Sequence, residues 1–191
     1  VMNFAFCLYK YFPYSGLSRD FLRILIECQK RGHRAEVFVS SWQGPQPKDG
    51  TRITVLGEWG EKLLPNHVKD RKYYKKLRRQ LKARSFDAII GFNRMPGLDV
   101  YYGADFCYIG RVQKANPPIS RLTARYRHFC DFEKAVFGST RQTLILSLSE
   151  REKKVYQEYY HTPDSRFFVL PPTLELDRKP VRNRDQTRRT I

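Results

Sequence analysis

The first thirty residues constrain the fold most. An apolar run, Phe4 to Leu8, passes through a polar, glycine-bearing segment at Ser15-Gly16 into an amphipathic stretch from Leu17 to Arg31. That order reads as a strand, a tight turn and a helix start. The pattern then repeats along the chain. Apolar runs near 3–9, 35–41, 51–57, 87–92, 143–148 and 166–170 read as strands, and helical periodicity covers 17–31, 66–84, 118–137 and 149–160. Strands alternating with helices imply an α/β, Rossmann-like, doubly wound and mostly parallel sheet. Ligands of such sheets bind beyond the carboxyl ends of the strands, where the loops are. Two distinctive strings begin where an apolar run has just ended, one at Lys10 and one at Phe92-Asn93, so both are expected at one rim.

The turn at Ser15-Gly16 has chemistry of its own. The first amides of a helix lack intrahelical partners and face outward at the positive end of the helix dipole, which favours a phosphate. One glycine before a helix is equally ordinary turn chemistry, so the turn needs the rest of the chain to interpret it.

Charge is the next constraint. Thirty-six Lys and Arg against 19 Asp and Glu give a formal +17, an excess that opposes compactness and points to a polyanionic partner. Between Val68 and Phe86 nine basic residues face only Asp70, while Tyr73, Leu77 and Leu81 recur at helical spacing. This is a basic amphipathic helix with a buried stripe. Between Asp105 and Asp131 no acid occurs, and Arg111, Lys114, Arg121, Arg125 and Arg127 alternate with Tyr108, Leu122, Tyr126 and Phe129. Cations interleaved with rings suit a headgroup interface as well as a solvated face. Five basic groups near an anionic leaflet, at about 1 kcal/mol each, supply roughly 5 kcal/mol, which is reversible docking.

Composition excludes several classes. The chain has 191 residues with 41% hydrophobic content, enough for one sizeable core. Its apolar runs fall well short of the roughly 18–20 residues of a membrane span, and no basic-apolar leader precedes the first strand, so a cytoplasmic location is expected. Cys7, Cys28, Cys107 and Cys130 never approach a C-x-x-C spacing and read as reduced thiols. His67, His128 and His161 show no ligand spacing, and His33 after Gly32 reads as a helix terminus, so no metal is expected.

Three strings carry a resemblance: Lys10-Tyr-Phe-Pro-Tyr-Ser-Gly-Leu-Ser-Arg-Asp-Phe21, Gly91-Phe-Asn-Arg-Met-Pro-Gly-Leu-Asp-Val-Tyr-Tyr-Gly-Ala-Asp105 and Arg121-Leu-Thr-Ala-Arg-Tyr-Arg-His-Phe129. Together they are similar to the N-terminal domain of the lipopolysaccharide core glucosyltransferase I family, retaining enzymes of glycosyltransferase family 4 with the two-domain GT-B fold. The likeness runs from about Met2 through Leu170-Pro-Pro172 and Asp177-Arg-Lys179.

The resemblance implies an acceptor-binding Rossmann-like domain over 1–174 and a connector over 175–191 leading to a donor domain that lies outside this chain. It implies transfer of glucose from UDP-glucose to a heptose of the phosphorylated inner core, without a metal or other cofactor. The work would be done as a peripheral protein on the cytoplasmic face of the inner membrane, and the isolated chain is expected to be inactive. Retaining transfer needs the leaving diphosphate stabilised and the acceptor hydroxyl held on the same face.

By resemblance, Ser15 and Gly16 face the diphosphate, and Asp105 matches the family carboxylate near the acceptor hydroxyl. Ser15 stands where the family carries a second glycine, so it either narrows the approach or caps the helix. Asp105 also reads as a loop aspartate capping the next helix. Arg19 and Asp20, placed in the first helical turn, either meet acceptor or phosphate groups or complement the dipole. Asn93, Arg94 and Met95 are expected at the cleft rim, with Pro96-Gly97 turning the chain. Thr173 replaces a family glycine at the expected hinge. Two other readings fit the residues: a sibling glycosyltransferase with another sugar nucleotide or acceptor, and a noncatalytic basic module whose default partner is nucleic acid.

Overall fold

The computed structural model describes residues 1–47, 50–58, 60, 63–115 and 121–170, with Lys114 and Ala115 as backbone only. The expected connector at 175–191 and the hinge position Thr173 lie outside the described residues.

Seven strands form one sheet: β1 (Asn3–Tyr11), β2 (Arg34–Trp42), β3 (Arg52–Val55), β4 (Ala88–Gly91), β5 (Val100–Gly103), β6 (Leu144–Ser147) and β7 (Phe167–Val169). Their spatial order is β3-β2-β1-β4-β5-β6-β7, and every neighbouring pair is parallel. The helices are α1 (Gly16–Lys30), α2 (Asn66–Lys82), α3 (Tyr108–Ala115), α4 (Ala124–Phe137) and α5 (Glu150–Tyr160). The doubly wound, parallel architecture is the expected one. Strand order reverses between β1 and β4, which is the switch point of such a sheet.

β1 is the keel. Ala5, Phe6, Cys7 and Leu8 are wholly buried because the strand is covered on both faces, and alternate residues go to opposite sides. Phe6 and Leu8 pack with Phe21 and Leu25 of α1. Ala5 and Cys7 pack with Tyr73 and Leu77 of α2, Val136 and Phe137 of α4 and Tyr156 of α5. The stripe read on α2 is therefore real, with Leu81 at the core's margin. α1 stops because Gly32, at φ 80°, carries the chain out of the helix, and the His33 amide bonds back to the Cys28 carbonyl at 3.0 Å.

Two elements lack a counterpart in the sequence reading. β5 is only four residues long, too short for a period-2 pattern to show. The apolar and basic stretch read as one helix over 118–137 is instead α4 alone within the described residues, beginning at Ala124 with Thr123 as its cap: the Thr123 hydroxyl accepts from the Tyr126 amide at 3.1 Å. α3 is a separate helix before it.

Candidate functional site

Beyond the carboxyl ends of β1 and β4, a crevice of about 380 Å³ opens at the switch point. Tyr9, Lys10, Phe12, Ser15 and Leu17 form one wall, Asn93, Arg94 and Asp105 a second, and Asn66, Lys69, Asp70 and Tyr73 of α2 a third, with Ser40 and the rings of Phe129 and Phe132 completing the lining. Ser15, Asn93, Arg94 and Asp105, separated by up to 90 residues, thus meet in one cavity.

Each wall is fixed by the preceding strand. The β1–β4 ladder ends at the pair Cys7 and Gly91, and the Phe92 amide still donates to the Cys7 carbonyl at 2.8 Å. One step on, the Asn93 side chain substitutes for a strand: its Oδ1 accepts the Tyr9 amide at 2.8 Å. The Tyr9 hydroxyl donates to the Arg94 carbonyl at 3.3 Å. Gly97, at φ 81°, then turns the chain after Pro96 as expected. Met95 departs from expectation. It is wholly buried in the core beneath the loop and does not reach the rim.

Ser15 is the N-cap of α1. Its side-chain oxygen accepts from the Ser18 amide at 3.4 Å, and its backbone is extended as a cap requires. It caps and lines the crevice at once. Gly16 opens the helix, and a Cβ there would meet nothing within 4 Å, so space does not demand the glycine.

Arg94 and Asp105 are held by a buried polar network centred on Glu133 of α4, which is fully buried. Its carboxylate pairs with the Arg94 guanidinium and accepts from the Tyr108 amide at 2.7 Å, the Ile109 amide at 3.1 Å and the Tyr160 hydroxyl at 2.7 Å. Arg94 Nη1 also donates to the Phe106 carbonyl at 3.1 Å, and its Nε lies 4.0 Å from Asp105 Oδ2. Burial opposes the charge on Arg94. The surrounding Tyr101 and Tyr156 and the two carboxylates outweigh it and hold the guanidinium pKa above its ordinary value.

Asp105 is fixed through its backbone by the Tyr156 hydroxyl at 2.9 Å, and the Tyr101 hydroxyl lies 3.4 Å from Oδ2. Burial, then the Asp105 carboxylate, pushes the Tyr101 phenol well up, so it stays a donor. The first amides of α3 go to Glu133, and the Cys107 amide goes to Glu152 at 3.4 Å. The capping role that Asp105 offered in the sequence is therefore filled by other acids, and its side chain, 43% exposed, faces the crevice.

Arg19 and Asp20 sit elsewhere. With the helix starting at Gly16, no acid falls in its first turn. The Asp20 carboxylate accepts the Tyr102 hydroxyl at 2.9 Å and lies 3.8 Å from Arg23. Arg19 is exposed, and neither residue lines the crevice.

The basic and aromatic segments do come together. Tyr108 of α3 lies against Phe129 and Tyr126 of α4, with centroids 5.1 and 6.1 Å apart, and the Arg125 guanidinium sits 5.6 Å over the Phe129 ring. Arg111, Arg121 and Arg127 are exposed, as are Leu122 and Phe106. No helix among the described residues is long and apolar enough to cross a membrane.

Sequence reasoning missed Glu133, although a mark of it was present. Phe129, Glu133, Val136 and Phe137 share one helical face, so an acid occupied a position in an apolar stripe. Such an acid is found buried only when it is paired.

No family model matches the chain. Over 178 residues it is 42% identical to the lipopolysaccharide glucosyltransferase WaaG of Escherichia coli (strain K12), a match covering 93% of this chain and 46% of that protein. A crystal structure described as WaaG, a glycosyltransferase involved in lipopolysaccharide biosynthesis, superposes with a TM-score of 0.86 at 41% identity, covering 92% of this chain and 46% of the other. The chain thus spans less than half the length of the relative it matches. Sequence and fold together make the chain homologous to the N-terminal portion of a lipopolysaccharide glucosyltransferase.

Proposed function

We propose that this chain forms the acceptor-side wall of a retaining glycosyltransferase of family 4, moving glucose from UDP-glucose to a heptose of the lipopolysaccharide inner core. The observation that carries the reading is the convergence of Ser15, Asn93, Arg94 and Asp105 on one crevice at the switch point. The donor nucleotide is held mainly by a second Rossmann-like domain, the counterpart of the part of the relative that this chain does not match.

The Ser15-Gly16 helix start presents its amides to the leaving diphosphate. Asp105 receives the acceptor hydroxyl, with Arg94 and Tyr101 behind it fixing the carboxylate so that no reorganisation is needed as the bond forms. Lys10 and Lys69 on the crevice walls draw in a phosphorylated acceptor. The cluster of Tyr108, Arg125, Tyr126 and Phe129, with Arg111, Arg121 and Arg127, rests on the anionic leaflet where the acceptor is anchored. The protein is peripheral on the cytoplasmic face of the inner membrane in this reading, and no metal takes part.

Acceptor binding tests it with the 191-residue chain itself. Calorimetric titration with delipidated, heptose-bearing, phosphorylated inner-core oligosaccharide, which removes any membrane contribution, should give saturable binding that Asp105→Asn and Asn93→Ala weaken. No saturable binding up to millimolar ligand, or binding indifferent to both substitutions, refutes the crevice as acceptor site.

A further inference from the structure

The corner of the crevice where α2 meets α4 is built around a histidine that the reading above does not use. His128 of α4 is buried behind three residues that line the crevice. Its ring lies 4.1 Å from that of Phe132 and 5.0 Å from that of Phe129, and its Nε2 lies 3.7 Å from Asp70 Oδ2 of α2. Arg71 Nε donates to the other ring nitrogen, Nδ1, at 3.4 Å. A guanidinium keeps its protons at any working pH, so Nδ1 is the acceptor and the ring proton sits on Nε2, the nitrogen turned to Asp70. At 3.7 Å that N–H falls short of a hydrogen bond, and among the described residues Nε2 bonds to nothing else. His67, its ring 6.3 Å from that of His128, likewise leaves Nδ1 buried and unbonded. Buried polar atoms without partners are rare in folded proteins.

Asp70 is the sole acid of a strongly basic helix. Among the described residues its carboxylate nevertheless lies within ion-pair distance of His128 and of no lysine or arginine. Its side chain is 14% exposed, and it lines the crevice. Burial, then the Asp70 carboxylate, pushes the Tyr9 phenol up, which sets Asp70 beside the wall that Tyr9 shares with Asn93 and Arg94. The ionised carboxylate only accepts, with lone pairs for several donors. Lys10 and Lys69 on the same walls disfavour a cationic ligand, and the carboxylate itself disfavours a phosphate at this corner. Neutral donors such as hydroxyl groups remain. The rings of Phe129 and Phe132 beside it offer an apolar surface to the C–H face of a sugar ring, and Asn66 adds an amide at the edge.

We propose that Asp70, Asn66, Phe129 and Phe132 form a neutral-sugar subsite in which the Asp70 carboxylate accepts adjacent hydroxyls of the acceptor saccharide, with His128 as the positioning residue behind it. The inference rests on the acceptor-side reading above and deepens it: the lysines of the crevice take the phosphate and this corner takes the sugar ring. A shift of the carboxylate by about half an ångström brings Oδ2 within hydrogen-bond range of Nε2. Fixing Asp70 on a sugar therefore also satisfies the buried N–H of His128, and the two bonds support each other.

Calorimetric titration of the whole chain with delipidated, phosphorylated inner-core oligosaccharide, before and after phosphatase treatment, tests it, with melting curves to show that each variant is folded. Asp70→Ala should weaken both forms of the ligand alike, by about tenfold, the loss expected for hydrogen bonds to a charged group. His128→Phe keeps a ring between Phe129 and Phe132 but removes the donor, and should weaken binding about fivefold. His128→Gln retains a side-chain N–H and should bind closer to the parent. The double variant Asp70→Ala/His128→Phe should bind no more weakly than Asp70→Ala alone, because His128 acts through that carboxylate. If Asp105→Asn weakens binding while Asp70→Ala stays within twofold of the parent, the subsite is overturned and the acceptor-side reading survives. If the parent binds neither form, both are overturned. Tighter binding of the phosphorylated ligand by Asp70→Ala would put the phosphate at this corner and overturn the sugar assignment. Strictly additive losses in the double variant, or His128→Gln binding no better than His128→Phe, would reduce His128 to a packing role and overturn its assignment.

Discussion

Glu133→Gln is the substitution on which the architecture of the site depends most. The change keeps the shape of the side chain and removes one charge from a position with no solvent access. The groups facing that carboxylate are donors: the Arg94 guanidinium, the Tyr108 and Ile109 amides, the Tyr160 hydroxyl and the Cys107 thiol. An amide can accept through one oxygen only, so its NH₂ is forced against donors, and Arg94 loses its close counter-charge. Removing one partner of a buried ion pair costs about 3–5 kcal/mol. Two features move the expectation to the lower end: Arg94 keeps 16% of its side-chain exposure, and Asp105 remains 4.0 Å from its Nε. The expected loss is about 3 kcal/mol, roughly 6–12 °C in Tm for a domain of this size. Urea unfolding at about pH 7 measures it as a lower midpoint with an unchanged slope. Adding Arg94→Met to Glu133→Gln removes the stranded cation, and the double variant should be more stable than Glu133→Gln alone. A loss below about 1 kcal/mol for Glu133→Gln, or strictly additive effects in the double variant, would show that the pair does not hold the loop and would sink the reasoning.

Two further outcomes follow from single features. Ser15→Ala removes the α1 cap and should destabilise by about 1 kcal/mol in the same urea assay, whereas Ser15→Gly should cost only a few tenths; equal losses in the two variants would mean that the side-chain bond to the Ser18 amide contributes nothing. Burial pushes the Cys7 and Cys107 thiols and the Tyr101 and Tyr156 phenols up, Cys107 from 9.0 to about 12. Folded protein therefore holds protons that unfolded chain releases, so stability is full below about pH 9 and falls as pH rises through about 12 for Cys107. A urea midpoint that rises between about pH 8 and 10.5 would contradict that sign.

The parts of this structure that were legible in the sequence are those governed by local rules. Phe4 to Leu8 is apolar without alternation because β1 is covered on both faces, and Tyr73, Leu77 and Leu81 repeat because α2 has one buried side. The rule that loops after parallel strands share a rim brings the strings that begin at Lys10 and at Phe92-Asn93 together from the sequence alone, while Asp105 follows the unread β5 and was pointed to by the family resemblance. What was not legible depends on partners distant in sequence. Nothing local shows that Asp20 turns to Tyr102, 82 residues away, instead of to the crevice. Met95 beside Arg94 looks equally placed for the rim, yet the loop alternates and sends its apolar side chain into the core. β5 has too few residues to display a period, and the boundary between α3 and α4 is set by the Thr123 cap within a stretch of uniform basic and aromatic composition.

Glu133 is where these two kinds of information meet. Its side chain leaves α4 one turn after Phe129, the ring that carries Arg125 and touches Tyr108, and it closes on Arg94, which stands beside the Asp105 carboxylate. The cationic, aromatic face of α3 and α4 and the crevice are therefore parts of one polar network. Because Glu133 also accepts the first amides of α3, a shift of α3 relative to α4 has to break a buried charge-assisted bond, while a rigid movement of both helices does not. The two helices are thus constrained to move as a unit, and Arg94 with them, which keeps the loop bearing Asp105 in register with whatever surface that face meets.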